Sequence, residues 1–268
     1  MGRDKDMSKD MGMNMGLDVS ESIRRTKQGF EESFHEDSFY NQQTRDEEQL
    51  NRLLDCLNVE NGMKILDLGT GTGYLAFPIA ERFPHAEVTG LDIVLQALHR
   101  NRQEAERRGR KNLQFISYDG LEFPFADRSF DWVVSRYALH HFPAINGTFQ
   151  EISRVLKPGG QLLISDPAPN DCDGDRFVDA YMQMKKDGHI RFYTKNEWIE
   201  IGKATGLAYT GGFETKIRFP KKRETAVGFN EIVNRFESEV VRSYEVEITA
   251  DEIWITERVN NLLFQKKC

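Results

Sequence analysis

Apolar residues along this chain recur in two rhythms, and the two alternate. Short, nearly unbroken apolar runs occur at Ile65–Leu68, Ala86–Leu91, Leu113–Ile116, Phe130–Val134 and Leu162–Ile164, the form of strands buried on both faces. Between them the apolar positions fall at helical spacing. Leu75, Phe77, Ile79, Ala80 and Phe83 form one such set, with Pro78 inside it, where a proline is expected to bend the helix. Leu95 to Arg108 forms a second, with basic residues at its end as the helix dipole favours. A third helix ends within Glu151–Gly160. Strands alternating with helices predict an α/β fold: a doubly wound, mostly parallel sheet with helices on both faces.

The flanks read differently. Residues 1–18 carry no apolar periodicity and are expected to be a disordered extension. The pattern turns helical from Ser20 to Asn58, with Leu50, Leu53, Leu54 and Leu57 on one face and Phe34, Phe39 and Tyr40 just before it. Beyond Asp166, Asp173–Lys186 reads as a helix over the strand ends. Thr194 and Glu197 make a capping box for a further helix that ends near Gly206. Tyr209–Phe219 and Val259–Phe264 read as closing strands, one antiparallel, with a charged helical stretch, Glu224–Tyr244, between them. The expected layout is one domain over residues 19–268: a helical lid (19–60), a ligand-binding core (63–168), a cap (169–206) and closing strands with a helix (207–268).

On such sheets ligands sit at the carboxyl ends of the strands. Asp67, Asp92, Asp119 and the pair Ser135-Arg136 all fall there, so one pocket is implied. The first run ends in Asp67-Leu68-Gly69-Thr70-Gly71-Thr72-Gly73-Tyr74, a turn whose glycines let a ligand approach the backbone and whose following helix start favours a negative group. Asp92 closes the second run about 20 residues on, where a carboxylate can grip both hydroxyls of a ribose. A nicotinamide dinucleotide and S-adenosylmethionine both fit that pairing. The dinucleotide fingerprint wants a third glycine where this chain has Tyr74, which favours the adenosyl compound.

Composition narrows the choice further. The formal net charge of −7 argues mildly against a nucleic-acid substrate. No apolar run approaches the ~20 residues of a membrane span, and no secretory signal is visible. Cys56, Cys172 and Cys268 are odd in number and far apart, so the expectation is reduced thiols in a cytoplasmic protein with no disulfide framework. No histidine or acid cluster has metal-ligand spacing.

The Asp67–Gly73 turn, Asp92, Asp119-Gly120, Phe130-Asp131, Ala138-Leu139-His140-His141-Phe142 and Arg154-Val155-Leu156-Lys157-Pro158-Gly159-Gly160 together resemble the Rossmann-like (class I) S-adenosylmethionine-dependent methyltransferases. The resemblance is to the small-molecule branch that includes the ubiquinone/menaquinone C-methyltransferases. It covers Ile65–Asp166, and Thr70 departs from it where many relatives carry cysteine. It implies a seven-stranded sheet with one antiparallel strand, an N-terminal lid and S-adenosyl-L-methionine as cofactor. By resemblance, Asp92 binds the ribose hydroxyls, Ile93 packs on the adenine, and Asp119 accepts from the adenine amino group beside Gly120. Gly69, Thr70, Gly71 and Ser135-Arg136 hold the methionine end, with Asp67 ordering the turn. His140 and His141 are the candidate bases for in-line methyl transfer to a small-molecule acceptor. His189, Arg191 and Tyr193 are the candidate acceptor-binding residues. Two rival readings stand beside it: a non-catalytic adenosyl-binding regulator of the same fold and an NAD-dependent oxidoreductase. Nucleic-acid amino methylation would want an Asn/Asp-Pro-Pro-aromatic run where the chain has Ser135-Arg136-Tyr137-Ala138, and cytosine-carbon methylation a Pro-Cys pair that is absent.

Overall fold

Five parallel-sheet runs take the positions that the hydrophobic pattern assigns them. The computed structural model describes residues 15–33, 46–185, 187–223 and 228–267. Helix α1 (Met15–Ser33) and α2 (Glu47–Asp55) precede the core. Strands β1 (Lys64–Leu68), β2 (Glu87–Asp92), β3 (Leu113–Ser117), β4 (Phe130–Arg136) and β5 (Leu156–Ala168) alternate with α3 (Ala76–Arg82), α4 (Leu95–Arg107) and α5 (Ile145–Val155). Then come α6 (Phe177–Met182), α7 (Lys195–Ala204), β6 (Leu207–Lys222), α8 (Phe229–Val233), α9 (Ser238–Ser243), β7 (Glu247–Ile248) and β8 (Glu252–Lys266).

The sheet order is β3-β2-β1-β4-β5-β8-β6, with the two-residue β7 pairing β8 off that path. β1 to β5 pair in parallel, whereas β8 is antiparallel to both β5 and β6. One strand of the seven therefore runs against the rest. This is the seven-stranded sheet with one antiparallel strand that the resemblance implies.

Each face of the sheet carries its own apolar layer. Ile65, Trp132, Val134 and Leu163 pack beneath α2 and α3, with Leu53, Leu54, Phe77 and Ile79. Leu66, Leu68, Val133 and Ile164 face α5 and α7, with Phe149, Ile152 and Trp198. A third layer joins α6, α8 and α9 to the far end of the β6–β8 hairpin through Phe177, Tyr181, Phe229, Val241, Tyr244 and Ile255.

Three expectations change. Pro78 does not bend α3: it is the third residue of a seven-residue helix, in the first turn, where the missing N–H is one of those a helix leaves unpaired. The helix expected over Asp173–Lys186 contracts to Phe177–Met182. Asp173 holds its start, accepting from the Phe177 and Val178 amides at 2.7 and 3.0 Å. Helix α1 begins at Met15, inside the stretch read as an extension. Residues 1–14 and the aromatics Phe34, Phe39 and Tyr40 lie outside the described residues. The capping box at Thr194 forms, with Glu197 reaching back to the Thr194 amide at 2.7 Å. Among the described residues no helix is long and apolar enough to cross a membrane.

Candidate functional site

The glycine turn is held from below by buried carboxylates. Gly69, Gly71 and Gly73 all have positive φ (69°, 51° and 78°), which L side chains rarely adopt. A Cβ on Gly69 would also stand 2.4 Å from that of Ala138. Asp67, 2% exposed, accepts from the Thr70 hydroxyl at 2.6 Å and from the Ala76 amide at the start of α3. Burial pushes its pKa up to about 7, with the Thr70 hydrogen bond opposing. One strand over, Asp92 accepts from Gly71 N at 2.8 Å and Val94 N at 2.9 Å, and also from the Ile93 amide. Burial raises its pKa, and these amides pull it back. A carboxylate has more lone-pair directions than these amides use, which leaves capacity for a ligand.

Above the turn lies a pocket with ≈ 860 Å³ of empty space, solvent at its mouth included. In the order of the strands its floor runs Tyr118 and Gly120 after β3, Asp92 to Val94 after β2, Gly69 to Thr72 after β1, and Arg136, Tyr137, Ala138 and His141 at and after the end of β4. Helix α1 supplies one wall: Ile23 closes on Gly120, and Phe30 meets the His141 ring edge-on at 5.0 Å. Arg136 supplies a cation. Its guanidinium lies 4.1 Å from the Tyr74 ring centroid and 3.9 Å from that of Tyr137, and its Nε donates to Gln49 Oε1 at 2.8 Å. A carboxylate with free lone pairs, an apolar slot of Ile93, Val94 and Tyr118 beside it, and a cation at the far end suit a nucleoside with a carboxylated tail.

The structure sorts the sequence candidates into four groups. Gly69, Thr70, Gly71, Asp92, Ile93, Gly120, Arg136 and His141 line the pocket. Asp67 and Ser135 lie beneath it, Ser135 donating to Leu68 O at 2.9 Å. Asp119 is exposed and turns to its own loop, its Oδ1 accepting from Leu121 N and Glu122 N at 2.8 and 2.9 Å. The remaining four sit outside the pocket wall. His140 is behind His141, ring centroids 4.1 Å apart, with Nδ1 2.7 Å from Asp166. His189 pairs through Nε2 with Asp179 at 2.9 Å. Arg191 pairs with Glu197 at the surface, and Tyr193 packs on Trp198 at 4.4 Å.

Burial governs the histidines. It lowers His140 and His141 to about 3 and raises Asp166 to about 8, so His140 and Asp166 hold one proton between them near neutrality. His141 donates to the Gly188 carbonyl, and its buried Nδ1 has no partner. Three residues that the sequence reading passed over also build the site. Tyr74 bonds the Asp46 backbone through its hydroxyl (2.9 Å to the carbonyl, 3.0 Å from the amide). Tyr137 is a non-glycine at φ 52°, and Gln49 donates to its hydroxyl at 3.1 Å. A left-handed tyrosine has no local sequence signal; only the tertiary setting over-determines it.

Comparison with known proteins follows this geometry. A methyltransferase-domain family model matches residues 59–206. The chain is 32% identical to the uncharacterized methyltransferase YcgJ of Bacillus subtilis over 148 residues, 54% of this chain and 57% of YcgJ. It is 41% identical to the demethylmenaquinone methyltransferase of Thermus thermophilus over 118 residues, 44% of this chain and 53% of that protein. It is 36% identical to the sterol 24-C-methyltransferase ERG6B of Gibberella zeae over 157 residues, 56% of this chain and 41% of that one. The chain thus spans about half the length of the curated relatives it matches. The crystal structure of YcgJ superposes with a TM-score of 0.72 at 24% identity, covering 83% of this chain and all of YcgJ's. With more than half of its length matched by the family model, this chain belongs to the methyltransferase-domain family.

Proposed function

We propose that the protein transfers the methyl group of S-adenosyl-L-methionine to a small-molecule acceptor by in-line displacement. The observation that carries the proposal is the row of groups along the strand ends: apolar slot, Asp92, glycine turn, Arg136. Asp92 receives the ribose hydroxyls, and Ile93 and Tyr118 flank the base. The turn at Gly69–Gly71 and the Arg136 guanidinium hold the amino-acid end, a carboxylate being the natural partner of that planar cation. Helix α1 is the lid, since Ile23, Thr26 and Phe30 close the pocket from above.

The bound sulfonium supplies an already activated methyl, so the protein's own work is alignment and exclusion of water. His141 is held neutral and weakly basic by burial, and its Nδ1 serves as a hydrogen-bond acceptor that orients the incoming group. His140 positions it from behind. The acceptor is a small molecule, and the site of action is the cytoplasm.

Calorimetry and labelled turnover test this reading. S-adenosylhomocysteine at ~100 times its dissociation constant should stabilise the fold by ~2.7 kcal/mol. Isotopically labelled cofactor with a cell extract should yield a labelled small molecule by mass spectrometry. Stabilisation by NAD and by neither adenosyl compound would sink the proposal; adenosyl binding without any labelled product would leave a non-catalytic binder.

A further inference from the structure

Helix α2 contributes no residue to the pocket lining, yet the hydrogen bonds around its first turn converge on Arg136. Gln49, in that turn, is 1% exposed. Its Oε1 accepts from Arg136 Nε at 2.8 Å, and its Nε2 donates to the Tyr137 hydroxyl at 3.1 Å and to Thr215 Oγ1 at 2.9 Å. The partners fix which way the amide faces, because an arginine Nε only donates and must meet the oxygen. Thr215 is anchored in turn. Its Oγ1 also accepts from Asn261 Nδ2 at 3.1 Å, which ties the network to the paired strands β6 and β8.

The two rings that flank Arg136 are held by the same turn. The guanidinium lies 4.1 Å from the Tyr74 ring centroid and 3.9 Å from that of Tyr137. Tyr137 is bonded to Gln49, and the Tyr74 hydroxyl to the backbone amide and carbonyl of Asp46. Asp46 in turn caps α2, accepting from Gln49 N at 2.8 Å. Arg136, Tyr74 and Tyr137 line the pocket, whereas Gln49, Asp46 and Thr215 stand behind them. Holding a long arginine side chain costs rotamer freedom, so a guanidinium that is already fixed has less ordering left to do when a carboxylate binds. Gln49 also suits the task by being neutral. A carboxylate in its place would draw on the charge that a ligand needs, whereas an amide oxygen orients the guanidinium without cancelling it.

We propose that Gln49 is a positioning residue: it aims Arg136 at the cofactor's tail, and so sets the preference for adenosyl compounds that carry an amino-acid carboxylate over those that lack one. The proposal rests on the methyl-transfer reading, in which Arg136 receives that carboxylate. The competing role for Gln49 is a tie between α2 and the sheet that supports the pocket as a whole.

The test uses the full chain with S-adenosylhomocysteine and methylthioadenosine, which share the adenosine and the thioether and differ in the amino-acid tail. Calorimetry should show S-adenosylhomocysteine binding the unaltered protein more tightly, by about tenfold or more. Gln49→Met keeps the length of the side chain and removes its polar atoms. It should cut that ratio by about fivefold, with methylthioadenosine affinity held within about twofold. In an Arg136→Met background the same change should leave the ratio where it is, since the residue it acts through is gone. Thr215→Val spares Gln49 and removes one of its partners, and should lower the ratio by less. An equal loss for both ligands in Gln49→Met would make Gln49 a structural tie and overturn the proposal, as would a ratio that falls further in the Arg136→Met background. If Gln49→Met does not fold, an unchanged ratio in Thr215→Val overturns it instead. Equal affinities of the two ligands for the unaltered protein overturn it without any variant and leave adenosyl binding in place. Failure of both to bind would remove the methyl-transfer reading and the proposal with it.

Discussion

The two ends of the strand-end region are held together by different means. Around the glycine turn, buried acids are satisfied mainly by backbone amides: Asp67 by Ala76 and the Thr70 hydroxyl, Asp92 by Gly71 and Val94. Around the cap, buried acids add a ring from a distant segment to a backbone amide: Asp166 takes His140 Nδ1 as well as His140 N, and Asp179 takes His189 Nε2 as well as Phe192 N, while Lys221 donates to backbone carbonyls of α6. One acid there, Glu257, is left unsatisfied. Backbone-held groups stay in place whatever their neighbours do, which suits a site that must hold one ligand in one geometry. Side-chain pairs can be exchanged without altering the sheet. Changes near the turn should therefore cost ligand affinity and spare the fold, and changes near the cap the reverse.

The largest effect expected is on the cap side. His140→Ala strips Asp166 of its ring partner in a site that is almost fully buried, and should cost on the order of 3 kcal/mol of stability in a denaturant titration. Affinity for S-adenosylhomocysteine, measured where the variant is still folded, should change little. Removing both partners, as His140→Phe with Asp166→Leu, should recover part of the loss, because no buried polar group is then stranded. A double variant less stable than His140→Ala would mean the pair is wanted for more than mutual neutralisation.

Asp92→Asn breaks the comparison from the other side. The carboxylate's bonds to a ligand are worth ~1.5–3 kcal/mol, so S-adenosylhomocysteine affinity should fall at least tenfold in calorimetry while the protein still melts cooperatively. Unchanged affinity in a folded variant would remove Asp92 from the cofactor site.

This contrast also explains what was legible in the sequence. The strands β1 to β5, the glycine turn and Asp92 are written locally, as apolar runs and short spacings, and each lies where the pattern puts it. So does the capping box at Thr194. The cap could not be read in the same way. His189, Arg191 and Tyr193, expected at the acceptor from their place between the fifth and sixth strands, lie against Asp179, Glu197 and Trp198 respectively. Glu257 and Lys221 attracted no notice, because what sets them apart is the β6–β8 register and the burial it imposes. Tyr137 is in the same position: its left-handed φ belongs to the tertiary setting and not to any motif.

The pH dependence of stability sharpens the contrast at His141, which sits on the border between the two ends. Its pKa in the fold is lowered from 6.5 to about 3, so the unfolded chain binds a proton that the folded protein refuses between those values. The neutral ring's contribution is complete above pH ~6.5 and is lost as pH falls toward ~3. Comparing the unaltered protein with His141→Phe cancels most other titrations. The difference in unfolding free energy should drift against the histidine by up to ~1.4 kcal/mol per pH unit across that window. A difference that is flat with pH would show that the ring meets solvent in solution, and that its free Nδ1 is not a buried acceptor.

The smallest effect belongs to Arg191, and it decides where the acceptor site stops. The guanidinium pairs with Glu197 and lies 4.7 Å from the Tyr193 ring centroid, with its side chain 39% exposed. A half-exposed pair of this kind is worth ~0–1 kcal/mol, since water screens it and two long side chains must be ordered to make it. Arg191→Ala should therefore shift the melting temperature only slightly and leave cofactor affinity within about a factor of two, a change of ~0.4 kcal/mol. Once an acceptor is known, its KM should be unchanged too, because Arg191 does not line the pocket. A several-fold rise in acceptor KM with cofactor affinity unaltered would instead show that the 187–193 loop reopens in solution and turns Arg191 inward. The acceptor would then be gripped from the cap loop, beyond the walls of the cofactor pocket.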